Sequence, residues 1–163
     1  MKEASYKAML EGIRSRPKLS SAVLFVSKFA TYFMYLFYPA FLVFLLVWDK
    51  KLPVKETLVP LIGFLALSLF RRLLNAPRPY ENFDIEPINK KLTKGVSFPS
   101  RHTFSAFVIA FCAFSRFPII GSALLILSAA LGACRILSGV HFIKDVIAGT
   151  LFAIVCAPFF YIF

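Results

Sequence analysis

The sequence predicts an all-α, integral-membrane helical bundle with about five transmembrane helices and one interfacial amphipathic helix. Of its 163 residues, 59% are hydrophobic and the mean hydropathy is +0.75, whereas soluble domains average about 45–50% apolar residues. Apolar runs recur at close to the roughly 20 residues that a helix needs to cross the hydrocarbon core. The length suits a single domain over residues 1–163.

The net charge of +11 narrows the possible partners. The basic residues lie between and beside the apolar runs rather than along one soluble face. Anionic lipid headgroups or a phosphate substrate therefore explain the charge better than nucleic acid does. We expect membrane lipids as partners and no nucleic-acid binding.

The first predicted element is an amphipathic helix over residues 2–16. Its apolar side chains recur at helical spacing among charged ones, at Tyr6, Met9, Leu10 and Ile13. This pattern is typical of a helix in the membrane interface, and it predicts an interfacial segment over residues 1–18. It does not fit a cleavable signal, because no apolar core follows the first charges.

Five apolar segments follow as predicted transmembrane helices, at residues 29–48, 57–75, 100–115, 117–136 and 145–163. The first extends back to Leu19 if Lys28 snorkels to the surface. Pro39 is expected to bend this helix, because proline removes a backbone hydrogen bond. The third segment is short for a transmembrane helix.

A long polar loop separates the second and third predicted spans, at residues 76–99. Proline and glycine punctuate it, which argues against long regular elements, at Pro77, Pro79, Pro87, Gly95 and Pro99. Loops of this length are often functional. We therefore predict that residues 76–99 form an active-site loop.

Counting the spans predicts that the residues suited to chemistry meet on one membrane face. The end of the second span, the start of the third, the end of the fourth and the start of the fifth share that face. These ends and the loop carry arginines, a serine, an aspartate and both histidines of the chain, namely Arg71, Arg78, Ser100, Arg101, His102, Arg135, His141 and Asp145. Histidine exchanges protons near neutral pH and arginine binds phosphate oxygens. The pattern predicts phosphate chemistry on a lipid.

His141 and Asp145 form a candidate nucleophile pair. They are four positions apart, which places them on one helix face if the chain is helical from Val140 onward. A carboxylate fixes the tautomer of an imidazole and makes its other nitrogen a better nucleophile. Considered alone, Asp145 is also explained as a favourable charge at a helix N-terminus, and His141 as a residue of the membrane interface.

Ser100 and His102 begin the third predicted span. Serine is a good N-cap, and free N–H groups at a helix N-terminus bind anions. His102, in the first turn, is placed to protonate a leaving group. Ser100 alone is also explained as a cap, and single arginines at span ends as residues that snorkel to headgroups.

The chain resembles the type 2 phosphatidic acid phosphatase family, which carries the motifs K-x(6)-R-P, P-S-G-H and S-R-x(5)-H-x(3)-D. The corresponding positions here are Arg71 with Arg78-Pro79, then Pro99-Ser100-Arg101-His102, then Cys134-Arg135 with His141 and Asp145. Three residues depart from the motifs: Arg71 for lysine, Arg101 for glycine and Cys134 for serine. The spacings match, and both histidines and the aspartate are kept.

The resemblance implies a lipid phosphatase in which His141 attacks phosphorus and forms a phosphohistidine. Asp145 would orient His141, and His102 would protonate the leaving lipid oxygen. The phosphoryl oxygens would be held by Arg71, Arg78, Ser100 and Arg135. Arg101 replaces the glycine of the family motif, and we expect it to be a further phosphate-binding cation. The short bacterial members that it resembles act on undecaprenyl diphosphate, phosphatidic acid or phosphatidylglycerol phosphate, and undecaprenyl diphosphate is our first choice.

Three other functions stay open from the sequence. A lipid phosphotransferase would pass the phosphoryl group to an acceptor other than water. A non-catalytic lipid-phosphate binder would need the cations but neither histidine. Haem ligation between His102 and His141 is possible in a helix bundle, although the neighbouring arginines argue against it. The oligomeric state is left undetermined.

We expect no cofactor and no metal. Arginines can neutralise phosphate charge in place of magnesium ions, and the loop acids form no ligand pattern, at Glu81, Asp84 and Glu86. The cysteines lack C-x-x-C spacing and lie in apolar runs, where we expect small buried hydrophobes rather than zinc ligands or disulfides, at Cys112, Cys134 and Cys156.

The sidedness of the predicted catalytic face involves a conflict. Of the 19 basic residues, 15 fall on that face and four on the other, namely Lys50, Lys51, Lys55 and Arg116. The positive-inside rule places the richer face in the cytoplasm. The resemblance implies an outward-facing site, and we expect a multi-pass cell-membrane protein with an extracytoplasmic catalytic face.

Overall fold

The computed structural model describes residues 3–83, 85–89 and 94–162. Within them the chain forms eight helices and no strand, in the order α1 (Glu3–Arg14), α2 (Pro17–Asp49), α3 (Val54–Leu74), α4 (Pro79–Asn82), α5 (Arg101–Arg116), α6 (Pro118–Leu137), α7 (Ile143–Cys156) and α8 (Phe159–Ile162). The predicted all-α class is confirmed. The predicted interfacial segment, loop and fifth span each include positions outside the described residues, at 1–2, at 84 and 90–93, and at 163.

Four helical stretches are long and apolar enough to cross a membrane, judged by length and composition: Pro17–Asp49, Val54–Asn82, Pro118–Leu137 and Ile143–Ile162. They correspond to the first, second, fourth and fifth predicted spans. Large apolar side chains on their outer faces are exposed, as at Leu36 and Val155, which suits contact with lipid. Helix α2 continues through Pro39, and a short break at residues 157–158 separates α7 from α8.

The third predicted span corresponds to α5, which lies at the centre of the bundle. It packs on α2, α3, α6 and α7, and its 16 residues extend over about 24 Å. At its start, the backbone N–H of Ser100 donates to the carbonyl oxygen of Asp145 at 2.9 Å. At its end, Arg116 forms an ion pair with Asp49 at the end of α2. Helix α5 therefore joins opposite ends of the bundle, as the span count predicts.

Helix α1 is amphipathic, as predicted, and its apolar side chains contact protein. Tyr6, Leu10 and Ile13 are buried, and the helix packs on α2 and α6. The sequence pattern identifies an apolar face but does not specify whether lipid or protein covers it. A position of α1 in the membrane interface stays a prediction.

Candidate active site

His141 and Asp145 contact each other next to a helix start. Gly139, with φ 80°, turns the chain after α6, and α7 begins only at Ile143. His141 therefore lies in the turn before the helix, rather than on it, and Asp145 in the first helical turn. Even so, Asp145 Oδ2 lies 3.3 Å from His141 Nδ1 and accepts a hydrogen bond from the N–H of Phe142 at 3.1 Å.

Ser97 is a third member of this group that the sequence reasoning missed. Its hydroxyl donates to Asp145 Oδ2 at 2.5 Å and lies 3.3 Å from His141 Nδ1. The side chain is fully buried. Because Ser97 and Asp145 both engage Nδ1, Nε2 is the nitrogen of His141 that this arrangement leaves for chemistry. The available signal was its position two residues before Pro99 in the predicted active-site loop.

The surroundings of His141 favour its neutral form. Burial is the largest cause that lowers its pKa below the ordinary value, and the hydrogen bond with Asp145 opposes this shift. The positive charges of Arg135 and Arg78 lower the pKa further. A neutral imidazole keeps the lone pair that a nucleophile needs.

Arg71, at the end of α3, binds the loop that carries Ser97. Its Nη1 donates to the carbonyl oxygen of Ser97 at 3.0 Å and also to that of Pro99, and its Nη2 donates to that of Val96. The side chain is buried. Arg71 therefore positions the loop over residues 96–99, and direct contact with a phosphate stays a prediction.

Arg78 joins the other end of this loop to the His141 segment. Its Nε donates to the carbonyl oxygen of Gly95 at 3.2 Å and its Nη1 to that of Val140 at 3.3 Å. The carboxylate of Glu81 accepts hydrogen bonds from the N–H of Arg78 at 2.7 Å and from that of Gly95 at 2.9 Å. Gly95 has φ 64°, a conformation that favours glycine. One arginine thus connects two of the three motif segments.

Ser100 caps α5, as the sequence predicts, and connects α5 with α7. Its Oγ accepts the capping hydrogen bond from the backbone N–H of Thr103 at 3.5 Å and a second one from the hydroxyl of Thr103 at 2.9 Å. A Cβ at Gly149 of α7 would lie 2.6 Å from the carbonyl oxygen of Ser100, so only glycine allows this approach. The close contact sets Ser100 beside the Asp145 turn.

Arg135 adjoins the His141 turn, because its carbonyl oxygen accepts hydrogen bonds from the N–H groups of Val140 and His141 at 3.3 Å. Arg101 and His102 follow Ser100 at the start of α5. Arg101 and His102 line a cavity of about 240 Å³ between α2, α3, α5 and α6, and the Arg101 guanidinium lies 5.8 Å from the centre of the Phe64 ring. The Nε of Arg135 is buried without a hydrogen-bond partner in the described part of the chain. All eight predicted site residues thus lie at one end of the bundle.

The donor set gives no indication of a metal centre within residues 3–83, 85–89 and 94–162. No group of three histidine, cysteine, aspartate or glutamate side chains there is placed to hold a metal ion. Asp84 lies outside the described residues. The three thiols are free, with Cys112 and Cys134 buried and Cys156 half-buried. Metal independence stays a prediction.

Comparisons with known proteins give the family. The model of the PAP2 superfamily matches residues 57–163, which include every predicted site residue and exclude α1. The bacitracin transport permease protein BcrC of Bacillus licheniformis is 30% identical over 147 residues, covering 86% of this chain and 70% of that protein.

Two crystal structures share the fold. LpxE of Aquifex aeolicus has a TM-score of 0.74 at 23% identity, covering 98% of this chain and 94% of that one. The first transmembrane PAP2-type phosphatidylglycerolphosphate phosphatase from Bacillus subtilis has a TM-score of 0.71 at 19% identity, covering 97% and 83%. The family model and the 30% identical relative show that the chain belongs to the PAP2 superfamily, and its apolar helices indicate a multi-pass membrane protein.

Proposed function

We propose that this protein hydrolyses a lipid phosphate or diphosphate through a phosphohistidine at His141, without a metal. Undecaprenyl diphosphate is the preferred substrate, ahead of phosphatidic acid and phosphatidylglycerol phosphate. The observation that carries the proposal is the contact of His141 Nδ1 with Asp145 and Ser97 in an arginine-rich environment. The active unit is a single domain over residues 1–163, with residues 76–99 as its active-site loop.

In the first step, Nε2 of neutral His141 attacks phosphorus and the bond between phosphorus and the lipid-side oxygen breaks. His102, whose protonated form the negative charge of the bound phosphate stabilises, supplies the proton that the leaving oxygen needs. The Nδ1–H of His141 remains hydrogen-bonded to Asp145, whose negative charge stabilises the phosphorylated ring. The product is a phosphohistidine and a free lipid alcohol, or a lipid monophosphate from a diphosphate.

In the second step, water attacks the phosphorus of the phosphohistidine. His102, which is now neutral, accepts a proton from that water. The bond between phosphorus and Nε2 breaks, phosphate leaves, and His141 returns to its neutral form. His102 thus acts as the general acid in the first step and as the general base in the second.

The phosphoryl oxygens are held by cations and by the start of α5. Arg135 supports this role because its Nε is buried and has no hydrogen-bond partner in the described part of the chain. Arg101, on the cavity that His102 also lines, and the hydroxyl of Ser100 add further donors. Arg78 adds positive charge near His141, and Arg71 contributes charge while it binds the loop. Phosphoryl transfer depends mainly on such positioning and charge neutralisation.

The test is phosphate release by the purified protein in detergent with a chelator present. The substrates are undecaprenyl diphosphate, phosphatidic acid and phosphatidylglycerol phosphate. We expect release to survive chelation, and His141→Ala and His102→Ala each to lower kcat by at least about 100-fold. Arg72→Ala, an exposed neighbour of Arg71, is the control and keeps wild-type activity.

A phosphotransferase and a non-catalytic binder would give different results in the phosphate-release assay. A phosphotransferase forms a phosphorylated acceptor with little free phosphate, and a non-catalytic binder behaves identically with and without His141→Ala. Haem would give a strong visible absorbance band in the purified protein, and we expect none. An acid-labile phosphoenzyme in the wild type that is absent from His141→Ala supports the proposed intermediate, and its complete absence under rapid quench contradicts it.

A further inference from the structure

Helix α1 is neither part of the family match nor used by the proposed chemistry, yet it packs directly on the turn that carries His141. The family model begins at residue 57. The side chain of Tyr6 is 0% exposed, and Leu10 and Ile13 are also buried. The apolar face of α1 therefore packs against the rest of the protein.

Tyr6 makes the polar part of this contact. Its hydroxyl lies 3.1 Å from the carbonyl oxygen of His141 and 3.3 Å from that of Ile136, and donates to both. Its ring contacts Phe83 and Phe142, with centroids at 6.1 and 6.0 Å. Burial raises the pKa of Tyr6 above its ordinary value, so the hydroxyl stays a neutral donor.

The rest of α1 covers the same turn. A Cβ at Gly139 would lie 3.2 Å from both methyl carbons of Leu10, so Leu10 sits directly against the turn. Arg14 donates to the carbonyl oxygen of Glu86, and the N–H of Ile88 donates to the carbonyl oxygen of Ser138 at 3.0 Å. Helix α1 and the segment at residues 86–88 thus enclose residues 138–142.

Two backbone hydrogen bonds in this turn are long, those donated by Val140 and His141. The N–H groups of Val140 and His141 both donate to the carbonyl oxygen of Arg135 at 3.3 Å, beyond the usual 2.7–3.2 Å range for such bonds. Additional contacts are therefore important for fixing the backbone at His141. The Tyr6 hydroxyl acts on that same residue, at its carbonyl group.

We propose that Tyr6 is a positioning residue for the nucleophile. Its hydroxyl fixes the main chain of His141, so that Nδ1 stays in reach of Asp145 and Ser97 and Nε2 points at phosphorus. The inference rests on the proposed function in one respect, the role of His141 as nucleophile. Tyr6 touches neither substrate nor the reacting atoms and acts only through His141.

The test is steady-state and rapid-quench kinetics of Tyr6→Phe, which keeps the ring and removes the hydroxyl. We expect kcat and the rate of phosphoenzyme formation to fall about fivefold to tenfold, with KM within about twofold of wild type. The melting temperature should stay within about 2 °C. Tyr32→Phe, at a tyrosine that is 70% exposed, is the matched control and should match wild type in all four quantities.

Leu10→Ala separates positioning from stability, because it removes apolar packing of α1 and keeps the Tyr6 hydroxyl. We expect it to lower the melting temperature more than Tyr6→Phe does and to lower kcat less. Wild-type kcat in Tyr6→Phe would overturn the proposal. So would a lower kcat that only parallels a loss of folded protein. If His141→Ala keeps its activity and no phosphoenzyme forms, the proposed function itself fails, whatever the result with Tyr6.

Discussion

At the scale of single residues, Asp145 is the point at which separate parts of the chain meet. Its Oδ2 atom engages the hydroxyl of Ser97, the imidazole of His141 and the backbone N–H of Phe142. The orientation of His141 therefore depends on the 96–99 loop as well as on its own helix start. A change at Ser97 should thus reach the chemistry without touching the substrate.

We expect Ser97→Ala to lower kcat about fivefold to tenfold, because a buried hydrogen bond to a carboxylate is lost. The KM of this variant should change little, since Ser97 contacts His141 and Asp145 rather than the substrate. Steady-state phosphate release measures both values. Ser122→Ala, at an exposed serine of α6, is the control, and equal kcat values for the two variants would contradict the assignment.

The same residues show what sequence could predict at this scale. The motif spacings identify Arg71 and the pair formed by His141 and Asp145. They do not reveal that the guanidinium of Arg71 binds loop carbonyl oxygens, because that depends on how the loop folds back on α3. Ser97 was missed for the same reason, since a serine in an irregular loop carries no periodic signal.

At the scale of elements, α7 approaches the start of α5 closely beside the site. Gly149 permits it, since a Cβ there would lie 2.6 Å from the backbone carbonyl oxygen of Ser100. A backbone atom cannot rotate away as a side chain can, so the helices would have to separate. Such a shift would also move the Asp145 turn away from the 96–99 loop.

Gly149→Ala is therefore expected to lower both the melting temperature and kcat. The overpacking is expected to cost about 1–3 kcal/mol of stability. Gly12→Ala is the matched control, because a Cβ there has no atom within 4 Å, and alanine in an exposed helix stabilises by about 0.5–1 kcal/mol relative to glycine. Thermal unfolding in detergent compares the two, and an unchanged Gly149→Ala would refute the close approach.

The helix boundaries next to the site were predictable because their signals are local, whereas α2 begins at Pro17, ahead of the predicted residue 29. Ser100 begins α5 and Gly139 follows the end of α6, as capping preferences indicate. The partner of the apolar face of α1 was not predictable, since lipid and protein accept the same side chains. The start of α7 also differs from the conditional helix at Val140, because the turn at Gly139 extends to His141 and delays the helix.

At the scale of the whole molecule, the two ends of the bundle are chemically distinct. One end holds the motif residues, while Arg116 and Asp49 pair at the other. The positive-inside count favours a cytoplasmic motif end, and we expect the opposite orientation, with the motif end outside the cell.

Cysteine labelling in intact cells tests this orientation, in a chain whose three native cysteines are replaced by alanine. Lys94→Cys places an exposed thiol at the motif end and Lys50→Cys places one at the other end. We expect an impermeant maleimide to label Lys94→Cys and not Lys50→Cys. The reverse pattern would place the catalytic face in the cytoplasm and agree with the basic-residue count.

The guanidinium group of Arg71 distinguishes this chain from relatives that have lysine at the same position. Both of its terminal nitrogens are occupied by carbonyl oxygens of residues 96–99, whereas the motif of the resembling family has lysine at this position. A lysine ammonium is a compact point charge and cannot reproduce the planar, two-pronged contact. Relatives that carry lysine should therefore hold the 96–99 loop by different contacts, and amide hydrogen exchange in that loop would distinguish chains with arginine from chains with lysine.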